Sequence, residues 1–229
     1  MSSISGEARA ARLAQVVDED KIVSARVYNL VLCATVLYGL VVNALLCRAD
    51  VILFVFSRIS YRAFLIIYLI CAFAGVFISR RSRNALVSFL GYNLIVLPVG
   101  LLVAATVIMG GYNYSVVGHA FITTAGVTVI MTTAGLLFPQ FFEKIGSVLF
   151  FGLLGVLLTA ILSRFIPGIS MGVTMVSAGL FSLYIGFDVY RSQQFPRTID
   201  NAVDCAVDIY LDIINLFLNL LRIFGKSKD

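Results

Sequence analysis

Seven apolar runs divide the sequence, at about 27–46, 61–78, 85–109, 115–138, 145–166, 171–190 and 203–224, joined by short polar connections. At about 1.5 Å of helix per residue each can cross the roughly 30 Å of a bilayer's hydrocarbon, the second only just. None of the first five contains an acidic residue. Composition removes the other way of hiding such runs, a water-soluble core. Hydrophobic residues make up 60% of the chain and charged residues 13%, with a mean hydropathy of +1.00. A soluble domain is about 45–50% apolar and about a quarter charged, so this chain carries more apolar surface than its own interior could bury. The same figures exclude disorder. The four cysteines, Cys33, Cys47, Cys71 and Cys205, sit in apolar stretches without CxxC or Cys/His spacing, which excludes a disulfide scaffold and a zinc or redox motif. The expected class is an all-α polytopic membrane protein, a seven-transmembrane-helix bundle with no large soluble domain and no enzymatic centre.

The net charge of +5 invites a nucleic-acid reading, but the distribution refuses it. Basic residues occur singly or in short clusters between apolar runs, such as Arg80, Arg81 and Arg83, which is the pattern of membrane-flanking anchors. The lipid bilayer, not nucleic acid, is the expected partner. Residues 1–26 read as a polar cytoplasmic segment, 27–225 as the transmembrane domain and 226–229 as a short tail. The first apolar run begins too far in for a cleavable signal peptide. Placing the N-terminus inside puts ten of the seventeen Lys and Arg residues on the cytoplasmic side, which predicts an external C-terminus.

The last run is the most informative. At about 100° per residue, Asp204, Asp208, Asp212, Asn215, Asn219 and Arg222 fall within an arc of about 80°, and Ile, Leu and Phe cover the rest. Facing lipid, each central carboxylate would cost at least about 2.5 kcal/mol. The seventh helix is therefore predicted at the bundle centre, its polar stripe against protein or water. Asp188, near the end of the sixth run, is a partner for Asp212: the two differ in depth by about 6–8 Å, a gap that helix tilt can close. Two such carboxylates cannot both stay ionised in a low-dielectric site, so the pair becomes a proton-dependent switch or a divalent-cation site. The plainer alternative is that each aspartate pairs with an arginine or caps a helix.

Other signals are weaker. His119 lacks acid or cysteine neighbours and reads as an interface residue. Gly225, Lys226 and Ser227 imitate the end of a phosphate loop, but Leu220 stands where the motif needs glycine. Gly168 and Gly172 form a GxxxG beside Pro167 that eases a turn, and Gly152, Gly155 and the threonines between Thr123 and Thr133 suit helix packing. Ile185, Gly186, Phe187 and Asp188 fail the GxGD pattern of intramembrane aspartyl proteases, and no PAL sequence occurs.

The stretch GFDVYRSQQF at 186–195, followed by IYLDIINLFLNLLRIFG at 209–225, resembles the Bax inhibitor family, also called the transmembrane Bax inhibitor motif family. Phe187 stands for the family's usual tyrosine and Ile209 for its leucine, while Asp188 and Asp212 keep the separation of its two key aspartates. The resemblance implies a pH-sensitive calcium leak gated by Asp188 and Asp212, with protons and Ca2+ as partners, no resident cofactor, and Ca2+ as the transported ion. It implies an arginine at the cytoplasmic end of the second helix bonded to Asp188, a role for which Arg80, Arg81 and Arg83 compete, with Arg81 or Arg83 favoured. A bacterial-type member would sit in the inner cell membrane. Asp204 and Asp208, where relatives are uncharged, either extend an ion path with Asn215 or are solvated at the helix entrance, the plainer reading. The competing function is regulation of other membrane proteins, for instance of a membrane-bound ATP-dependent protease.

Overall fold

The computed structural model describes residues 21–162 and 170–226. Most of the polar N-terminal segment, the Pro167–Gly168 turn, Arg164 and the last three residues lie outside the described residues. Eight helices are described: α1 (Ala25–Leu46), α2 (Ala49–Phe56), α3 (Tyr61–Arg81), α4 (Ala85–Met109), α5 (Tyr114–Leu137), α6 (Pro139–Leu162), α7 (Ser170–Ser192) and α8 (Ile199–Lys226). Among the described residues there is no strand. Six of these helices, α1 and α3–α7, are long and apolar enough to cross a membrane. The chain is a multi-pass integral membrane protein.

Helix starts follow local chemistry. Ser24, Ser60, Asn84, Asn113 and Thr198 each turn a side-chain oxygen onto a backbone N–H two or three residues on, satisfying a donor that the helix cannot. Pro139 opens α6, where its missing N–H costs nothing. That start lies six residues before the apolar run at 145, because Glu143 and Lys144 stay exposed on the first turns instead of breaking the helix. The turn between α4 and α5 needs a left-handed residue, and Gly111 supplies it at φ 67°.

The chain divides into two compact units. The first comprises α1–α4 with residues 192–210 and hence the first turns of α8. Here α3 and α4 meet backbone to backbone: a Cβ on Gly75 would lie 2.6 Å from the Gly91 carbonyl oxygen, and one on Gly91 would lie 2.8 Å from that of Gly75. Only glycine on both sides permits this approach. The short helix α2 was hidden between two apolar runs. It rests Ile52 on Ala104 and Ala105 of α4, and at its head Arg48 donates to both carboxylate oxygens of Asp50, holding that carboxyl below the usual range.

The second unit comprises α5, α6, most of α7 and residues 211–226. Its core gathers Phe142, Leu149, Phe187 and Tyr190. A Cβ on Gly135 of α5 would collide with the Gly186 carbonyl of α7, so these two helices also pack through glycine.

The helix α8 differs from the six apolar spans. Those present large exposed side chains, such as Phe73, Ile122 and Phe151, as lipid-facing helices must. In α8 no residue from Asp200 to Leu221 is exposed. The polar seventh long helix is thus enclosed by protein, as the cost of lipid-facing carboxylates requires.

Candidate functional site

In the second unit, Asp188 stands on the last turns of α7 and Asp212 on α8. Their side chains are among the few buried carboxylates of the chain, at 6% and 7% exposure. The setting of Asp188 is fixed two residues earlier, where Gly186 is pressed against the Phe142 ring and the Met131 carbonyl, and one residue earlier, where Phe187 enters the core. Arg191, one turn on, forms an ion pair with Asp188 at 3.2 Å and lays its guanidinium over the Phe187 ring at 5.7 Å. Tyr184, one turn before Asp188, packs edge-on to Phe187 at 6.2 Å. Asp188 is thus buried beside the Arg191 guanidinium on α7, and Asp212 is buried on α8. Among the described residues no three His, Cys, Asp or Glu side chains converge to hold a metal. A calcium ion at Asp188 and Asp212 would have to complete its shell of six to eight oxygens with hydroxyl, carbonyl or water ligands.

The first unit holds the other half of the stripe. Asp204, at 4% exposure, accepts a hydrogen bond from Ser79 of α3. Asp200 accepts one at 2.7 Å from Ser88 of α4, which is fully buried. Arg80 reaches Asp208 at 2.9 Å on the less buried edge. Deeper along α8, Tyr210 and Asn43 of α1 are joined at 2.8 Å, and Tyr92 packs edge-on to Tyr210 while donating to the Thr35 carbonyl. Asp200, Asp204, Asp208 and Tyr210 each meet a group from α1, α3 or α4, which pins the rotation of this part of α8 about its own axis.

These contacts correct one sequence expectation. Asp204 is not solvated at a helix entrance, because α8 begins four residues earlier than the apolar run and Asp204 lies beneath Ser79. Arg191 forms an ion pair with Asp188 and Arg80 one with Asp208. Arg81 is exposed with its guanidinium 5.7 Å from the Phe77 ring centroid, and Arg83 is exposed. Successive residues of a helix point about 100° apart, so a choice among neighbouring arginines depends on a rotation that sequence does not carry. Asn215 and Asn219 turn their amides back onto the Leu211 and Asn215 carbonyls of their own helix.

Sequence reasoning missed Asp200 and Asn201, both buried. The signal was present. Asn201 falls within the stripe's arc at 100° per residue, and Thr198 directly after Pro196 and Arg197 is a helix-start pattern. Ser79, Ser88 and Asn43 gave no signal, since a small polar residue in a span is ordinary packing until a partner is known.

A multi-pass helical membrane protein with a buried polar helix among its described residues is the class defined by this fold and site. The family model described as inhibitor of apoptosis-promoting Bax1 matches residues 21–229, and the chain belongs to that family. An uncharacterized membrane protein of Streptococcus pyogenes serotype M3 is 30% identical over 145 residues, 57% of this chain and 63% of the relative. Protein lifeguard 4 of Mus musculus is 34% identical over 128 residues, covering 55% of this chain and 52% of the mouse protein. A Golgi anti-apoptotic protein of vaccinia virus is 29% identical over 119 residues, covering 51% of this chain and 50% of the viral protein. The matched stretches thus span about half to two thirds of these relatives' own lengths.

Proposed function

We propose that the protein is a pH-sensitive calcium or cation leak, without enzymatic activity, in which Asp188 and Asp212 share a proton and thereby control how α8 seals the path. The observation that carries this reading is the burial of both carboxylates, Asp188 on α7 with the Arg191 guanidinium beside it and Asp212 on α8. Two buried negative charges beside one positive charge favour retention of a proton, and losing it restores a repulsion that α7 and α8 must absorb. The test is calcium flux into liposomes that contain only the purified chain. A leak that responds to pH supports the reading.

A second reading belongs to the interaction class. Relatives include a protein named for Golgi anti-apoptotic action, and a chain of this family could regulate other membrane proteins, such as a membrane-bound ATP-dependent protease, by contact alone. Liposomes lacking any partner would then show no flux, which separates the two.

The proposed orientation has the N-terminus cytoplasmic and, with seven crossings, the C-terminus outside, in the inner cell membrane of a bacterial host. A reporter fused after Asp229 should be active only on the external side. A cytoplasmic signal would make α8 a re-entrant helix and overturn the seven-crossing topology.

A further inference from the structure

We propose that α2 and the arginines flanking it form a docking surface for the headgroups of anionic phospholipids. The residues between α1 and α3 join two spans, so they lie at one face of the bilayer. Their depth follows from the Ile52 contact: Ala104 and Ala105 stand only four or five residues before α4 ends at Met109, about 6–8 Å along its axis. This places α2 at the boundary between headgroups and acyl chains. Its outer side is apolar there, with Leu53 71% and Phe54 59% exposed, a surface that water would penalise and acyl chains accept. Next to it, Phe56, Tyr61 and Phe64 cluster with ring centroids 5.3–6.5 Å apart, the kind of aromatic group that settles at a membrane interface.

Charge decides which lipid. Between Cys47 and Arg62 the chain carries Arg48, Arg58 and Arg62 against one acid, Asp50. Arg48 is committed to Asp50. Arg58 lies with its guanidinium 4.6 Å from the Phe54 ring centroid, so its cation is held directly above the apolar face instead of extending into water. Arg62 occupies the first turn of α3, where the helix dipole disfavours a cation unless an anion lies close by. Two exposed guanidiniums above an acyl-facing patch suit a phosphate at the headgroup level, and each cation near an anionic surface contributes a factor of up to about five in affinity.

The sequence has no tryptophan, so one introduced residue reports alone. The full-length Leu53→Trp protein is placed in phosphatidylcholine vesicles doped with brominated phosphatidylglycerol, or with the same fraction of brominated phosphatidylcholine. The account expects quenching with about threefold or greater preference for phosphatidylglycerol. The added pair Arg58→Gln and Arg62→Gln should bring that preference to near unity while quenching by phosphatidylcholine persists, which shows the protein still folded and inserted. A reference reporter, Phe151→Trp on the lipid side of α6, should show no preference. Equal quenching at Leu53→Trp, a preference unmoved by the two substitutions, the same preference at Phe151→Trp, or no quenching at all would each overturn the proposal.

Discussion

Replacing either Asp188 or Asp212 with asparagine is expected to abolish the pH dependence of calcium flux in liposomes, leaving a nearly constant rate between about pH 6 and pH 8. Asparagine keeps the size and hydrogen-bonding reach of the protonated acid and cannot ionise. Each variant should therefore hold, at every pH, the rate that the native protein reaches at the acid end. The sign follows from the charges. In the proposed mechanism acidification adds a proton to the pair and removes its repulsion, while alkalinisation ionises both carboxylates, with Arg191 paired to Asp188. An exchange of Arg191 for glutamine removes that pairing and should extend the acid-end behaviour to higher pH. If both aspartate variants kept the native profile, the carboxylates would be structural and partner regulation would become the leading function.

The second large effect concerns stability. Ser79→Val and Ser88→Val each remove a hydroxyl that donates to a buried carboxylate on the first turns of α8, Asp204 and Asp200 respectively. Loss of such a donor costs about 1–3 kcal/mol, and more where the acceptor is charged. For a chain of this size that corresponds to a fall of roughly 2–10 °C in the melting temperature. Ser88→Thr, which keeps the hydroxyl, should recover most of the loss. Unchanged melting of both valine variants in detergent would show that these contacts do not hold α8 in place.

The features legible in the sequence were those governed by the bilayer. Lipid admits only helices long enough to satisfy their own backbone, so the apolar runs predicted the six spans to within a few residues at most ends. The enclosed last helix was legible for the same reason, since a stripe of aspartates has nowhere else to go. What was not legible depended on neighbours. Nothing in eight residues of apolar sequence distinguishes α2 from a loop until Ile52 is seen against Ala104 and Ala105. The start of α8 was placed too late because Asp200 and Asn201 read as loop by polarity, although Ser88 and the Thr198 cap account for them inside the helix. The Arg80–Asp208 pair was not legible either: Arg80 and Arg81 are adjacent, and only the azimuth of α3 decides which one reaches Asp208.

If Asp188 and Asp212 act as one titrating unit, the pH profile of calcium flux for the double variant Asp188→Asn/Asp212→Asn, set beside the two single variants, reveals it. Groups that share a proton lose their function together, so the account predicts that either single substitution flattens the profile and the second changes it no further. Two partial losses that add independently in the double variant would contradict a shared proton.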